Sequence, residues 1–127
     1  MPGAIDTWLR GVCGPGCRAD LERAVPTALD DAVAAADVYV GRELPAVQAR
    51  SFTEEDAHRV TQPALAVLGE ESAAVFRDRR ELLLAWLPDA EPFDPPGANH
   101  LLHVQRPREL ARALADFFAR HPVGAAA

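Results

Sequence analysis

Apolar positions recur at helical spacing from Ala4 to about Arg59. Ile5, Trp8, Leu9 and Val12 share one face, and Gly14-Pro15-Gly16 stops that run. Leu21 and Val25 mark a second short helix that ends near Pro26. Thr27 stands where a third helix needs its cap. Leu29, Val33, Ala36 and Val40 give that helix one apolar stripe, with Asp30, Asp31 and Asp37 on other faces. Glu43-Leu44-Pro45 is expected to interrupt it. Ser51 to Asp56 reads as a turn feeding another short helix, with Thr53 as cap and acids in the first turn.

The pattern changes after about residue 60. Pro63-Ala64-Leu65-Ala66-Val67-Leu68-Gly69 is a short apolar run closed by glycine, which fits a strand buried on both faces in a parallel sheet. Ala73 to Leu87 predicts an amphipathic helix with Val75, Phe76, Leu82, Leu83 and Trp86 inward, stopped by Pro88. Ala90 to Asp94 is a second strand with Phe93 inside, and Pro95 to Asn99 a rigid loop. A last helix runs from about Pro107, which suits a first turn, to Arg120. Its inward face is Leu110, Leu114, Phe117 and Phe118. This is the rhythm of an α/β sheet, in a chain that is predominantly helical. Independent stability usually takes three or more strands, so two apolar strands read as part of a larger sheet.

Composition narrows the functions. Hydrophobic residues make up 49% of the 127 and charged residues 25%, as in ordinary globular domains. No apolar run approaches the ~20 residues that span a bilayer, and no secretory leader is visible after Met1, so a cytoplasmic location without membrane partners is expected. The net charge of −6 argues against nucleic acid, which needs a cationic face. Cys13 and Cys17 have a C-x₃-C spacing, not that of thioredoxin-like or zinc motifs. They are expected to be ordinary thiols at a helix–turn–helix junction, without a metal.

Four segments of the second half together carry a family resemblance. Pro63 to Ser72 resembles the penultimate strand of α/β-hydrolases, written as Pro, a hydrophobic run and then Gly-x-x-Asp. Leu87-Pro88-Asp89-Ala90-Glu91 is similar to the turn before their last strand. Pro96-Gly97-Ala98-Asn99-His100 resembles the loop that presents their catalytic histidine. Leu101 to Pro107, with Leu110, Ala111, Leu114, Phe117 and Phe118, resembles their closing helix. The order of the four is that of the last quarter of that fold. By the same resemblance, residues 1–60 are similar to the helical cap inserted before the penultimate strand, and residues 61–127 to the C-terminal βαβα portion of the core. The expected fold is therefore a partial α/β-hydrolase: a helical cap and a two-strand parallel remnant of the sheet.

The resemblance implies hydrolysis of an ester or related carbonyl substrate, without a cofactor. Such chemistry needs a nucleophile, an acid and a histidine, in that chain order. His100 falls where the resemblance puts the base, a task that suits a group titrating near neutral pH. The family's aspartate corresponds to Ser72, which cannot orient a histidine. Glu70 and Glu71 could substitute, with Glu71 preferred, although two solvated glutamates at a strand end read equally well. The only serines are Ser51 and Ser72, and neither lies in Gly-x-Ser-x-Gly. Cys13, in Gly11-Val12-Cys13-Gly14-Pro15, lacks both the second glycine and a preceding apolar strand. His103 packs or caps near the closing helix rather than pairing with His100 on a metal, and His58 and His121 read as solvated.

The expectation is thus a truncated or split hydrolase that carries the triad histidine and has no turnover alone. Its partners would be an ester-like small molecule and a complementing chain or second copy. The competing expectation is a non-enzymatic helical interaction protein or homodimer built from the same fold.

Overall fold

The computed structural model describes residues 2–122 and Gly124. The chain is mainly helical, with one small parallel sheet, and forms two compact units, residues 1–56 and 57–127. Among the described residues no helix is long and apolar enough to cross a membrane.

In the first unit, α1 (Pro2–Cys13) ends at Gly14-Pro15-Gly16, and α2 (Cys17–Ala24) follows. Asp6 accepts from Arg10 at 2.9 Å and from Arg18 at 3.3 Å, which ties α1 to α2. Among the described residues, Ile5, Cys13, Cys17 and Ala36 are the buried apolar ones of this unit. Helix α3 (Ala28–Ala34) begins directly after Thr27, but the Thr27 side chain makes no capping hydrogen bond. The expected break at Glu43-Leu44-Pro45 is absent. Helix α4 (Ala36–Val38) runs into a π-turn, Tyr39–Glu43, and then into α5 (Leu44–Ala49), with Pro45 in its first turn. Pro45 has no N–H to give to the carbonyl four residues back, and its ring crowds that carbonyl. The helix accommodates it by widening one turn earlier: Leu44 N–H donates to Tyr39 O, five residues back. Of the expected apolar stripe, Ala36 is buried while Val40 is exposed. At the end of the unit, α6 (Glu54–His58) has the expected cap. Asp56 N donates to Thr53 Oγ1 at 3.2 Å, and the Asp56 carboxylate accepts from Thr53 N at 3.0 Å.

The second unit is built on β1 (Leu65–Val67) and β2 (Glu91–Phe93), paired in parallel with Ala66 opposite Pro92. Between them lies α7 (Ala74–Trp86); after them come α8 (Leu102–Gln105) and α9 (Pro107–Arg120). Ala66, Leu68, Ala98, Leu101 and Phe117 are buried in this unit. Several expected inward residues are not. Val75 and Leu82 on α7 and Phe118 on α9 are about half exposed, at 49%, 48% and 56%. In β1 only Ala66 is buried, while Leu65 and Val67 are half-buried. The sheet has only two three-residue strands, too little surface to cover every apolar position of a 13- and a 14-residue helix.

The sheet edges differ. Glu91 N donates to Ala64 O at 2.9 Å and Leu68 N to Phe93 O at 3.1 Å, so Glu91 and Phe93 turn their main-chain groups toward β1. Pro92 therefore faces the outer side of β2, and proline offers no N–H to a further strand. On β1 the groups of Leu65 and Val67 face outward, and none of them is hydrogen-bonded to a described residue. The sheet can grow on the β1 side only.

His121 differs from its sequence reading as a solvated residue. It is half-buried against Phe117, ring centroids 4.7 Å apart, and its Nε2 lies 3.1 Å from Glu91 Oε1. Arg120 also pairs with Glu91, so the end of α9 is fixed to the start of β2. His58 is exposed, as expected.

Candidate functional site

Parallel pairing puts the segments after β1 and after β2 at the same end of the sheet, where ligands bind in open α/β sheets. Gly69-Glu70-Glu71-Ser72 follows β1, and Pro95 to His100 follows β2. Glu70 N donates to Pro95 O at 3.3 Å and Glu71 N to Ala98 O at 2.7 Å. The Glu70 carboxylate accepts from Gly97 N at 2.9 Å. A side chain at residue 69 would overlap the carbonyl oxygens of Ala98 and Asn99, so only glycine lets the two segments cross so closely. Gly97 adopts φ +62°, the left-handed region, at the tip of the second segment.

The histidine loop is also held from the C-terminal side. Asn99 Oδ1 accepts from Leu101 N at 2.9 Å, closing a turn around His100. Asn99 N donates to Gln105 Oε1 at 2.8 Å, and Arg106 Nε to Pro96 O at 2.8 Å. His100 leaves this frame with its ring stacked on Phe76 of α7, centroids 4.1 Å apart and planes 14° from parallel. His100 is nevertheless exposed as a residue. Partial burial, followed by the nearby charge of His103, pushes the His100 pKa below the usual histidine value. The shift favours the neutral imidazole, the form that can accept a proton.

The two candidate acids have different surroundings. Glu70 spends its carboxylate on the loop backbone. Glu71 is exposed, and no hydrogen bond joins its carboxylate to His100 among the described residues. The sheet end thus brings the Glu71 backbone against the histidine loop without an acid on the imidazole. Ser72 is buried, and its Oγ has no partner among the described residues. His103 is exposed in the last turn of α8. Among the described residues no group of three or more His, Cys, Asp or Glu is arranged to hold a metal.

Cys13 and Cys17 are buried thiols, not joined in a disulfide, that hydrogen-bond each other. Burial, then the neighbouring Cys17, raises Cys13 to about 12; burial also raises Cys17. Both stay protonated near neutral pH, which removes them as nucleophiles. The sequence places Phe76 on an inward helix face and Asn99 in the histidine loop, but assigns neither of them, nor Gln105 or Arg106, a part in holding His100. An Asn two residues before a loop leucine is a turn signal, but long-range partners such as Gln105 and Phe76 leave none.

Comparison of the chain with protein-family models, with curated proteins and with solved structures gave no match.

Proposed function

We propose that this chain is the cap and C-terminal portion of an α/β-hydrolase-type enzyme acting on an ester or related carbonyl substrate, with His100 as the general base. The reading is carried by one observation: the acidic turn after β1 and the histidine loop after β2 cross at the same end of a parallel pair, locked by Glu71 N to Ala98 O and by Glu70 to Gly97 N. In support, the loop after β2 carries an exposed imidazole, stacked on Phe76, whose surroundings favour its neutral form. Residues 1–127 contain no Gly-x-Ser-x-Gly elbow, so the nucleophile and the oxyanion donors come from a segment outside them. The open side of β1 is where a further strand of that segment can pair, because Pro92 blocks the other side. In this reading residues 1–60 correspond to the family's helical cap.

The test is the reading frame upstream of Met1. An in-frame or frameshifted segment with an apolar strand followed by Gly-x-Ser-x-Gly is expected, and a chain extended to include it should hydrolyse p-nitrophenyl esters and react with a fluorophosphonate at that serine. An extended chain whose serine reacts with neither, although folded, overturns the proposal.

A further inference from the structure

The first unit carries an apolar pocket, open to solvent on one side, that the hydrolase reading does not use. Ile5, Trp8 and Leu9 of α1 line it from one side, and Ala32, Ala35 and Val38 from the other. Its volume is about 240 Å³. A dry apolar cavity of ~150 Å³ already accepts benzene, so this space holds one aromatic ring and a short substituent. Tyr39 and Glu43 complete the wall, and they are the first and last residues of the π-turn. π-turns inside α-helices are frequent at functional sites, and here the widened turn brings an aromatic ring and a carboxylate to the same apolar space.

Three observations fix the chemistry. Trp8 and Tyr39 meet edge to face, ring centroids 5.2 Å apart at 61°, so two aromatic side chains are already positioned at the cavity. Glu43 is the one charged lining residue, and its carboxylate is in no ion pair among the described residues. The unit as a whole is acidic, with ten Asp and Glu against five Arg in residues 1–56. Indole and phenol rings with a carboxylate favour an organic cation, through the ring faces and through direct charge pairing. An anion is opposed by both.

We infer that this cavity binds a small aromatic amine in its ammonium form, with the ring between Ile5, Trp8 and Val38 and the ammonium at Glu43. The site needs no property of His100, so its failure and the failure of the hydrolase reading are separate results.

The chain has two tryptophans, Trp8 and Trp86, so Trp86→Phe leaves Trp8 as the sole reporter. In the full chain carrying that substitution, 2-phenylethylammonium should change Trp8 emission saturably. Neutral 2-phenylethanol should bind about 5-fold or more weakly, and 3-phenylpropionate should not saturate. Glu43→Gln, an exposed position, should remove the preference for the amine over the alcohol while leaving the helical circular dichroism unchanged. Ala32→Leu, which fills the cavity, should abolish both responses. The inference is overturned if the amine does not saturate, if 3-phenylpropionate binds as tightly, or if Glu43→Gln leaves the preference intact.

Discussion

The two units hold themselves together by different means, and the difference indicates which of them carries polar chemistry. In residues 1–56 the buried groups are Ile5, Ala36 and two protonated thiols, and the charged pairs lie on the surface, where each contributes ~0–1 kcal/mol. In residues 57–127 main-chain and side-chain hydrogen bonds converge on one loop, from Glu70, Glu71, Gln105 and Arg106. The first arrangement frames an apolar pocket; the second fixes a backbone and presents an imidazole.

The contrast can be broken most sharply at Gly69. Gly69→Ala forces a methyl into the Ala98 and Asn99 carbonyls and should cost about 3 kcal/mol. Amide hydrogen exchange should show the loss in residues 57–127, with residues 1–56 unchanged. An equal loss in both units would erase the distinction.

The thiols test the first unit. With Cys13 raised to about 12, alkylation by iodoacetamide at pH 8 should be at least ~100-fold slower in the native chain than in denaturant. Because the folded pKa values of Cys13 and Cys17 are raised, their contribution to stability is complete below the ordinary thiol range and is lost as pH rises through the folded values. Rapid native alkylation would mean that the core of the first unit is open.

A smaller effect is expected at the boundary. Thr53→Ala removes the acceptor for Asp56 N and should cost about 1 kcal/mol, seen as faster exchange in α6. The smallest effect concerns acid. His121, first, and Arg120 hold the Glu91 carboxyl below its usual value. A lowered folded pKa gives stability that is present above the ordinary carboxylate range and fades as pH falls through the folded value. Glu91→Gln should flatten the acid side of the stability profile of residues 57–127 and leave that of residues 1–56 as it was.

Much of this was readable from residues. The apolar run ending at Gly69 and the Phe93 segment are strands, and Thr53 with Asp56 is a cap, because each depends on neighbours in sequence. The π-turn was not readable, since a proline acting four residues upstream can break a helix or widen it, and packing decides which. Val75, Leu82 and Phe118 were assigned inward because periodicity locates a stripe but not the width of the surface that meets it. The bond of His121 to Glu91 spans thirty residues, and no local pattern encodes it. At the candidate site, the position of His100 in a turn was legible from Pro-Gly-Ala-Asn, whereas its stacking on Phe76 was not.

The central claim is that His100 is a base awaiting a nucleophile from outside residues 1–127. Hydrolysis of p-nitrophenyl acetate, measured with and without His100→Ala, tests it most directly. The 127-residue chain should match its His100→Ala variant at the buffer rate, and the chain extended by a Gly-x-Ser-x-Gly segment should lose about 10³-fold or more in kcat on the same substitution. Turnover by the 127-residue chain that depends on His100, or an extended enzyme indifferent to His100, would contradict the account.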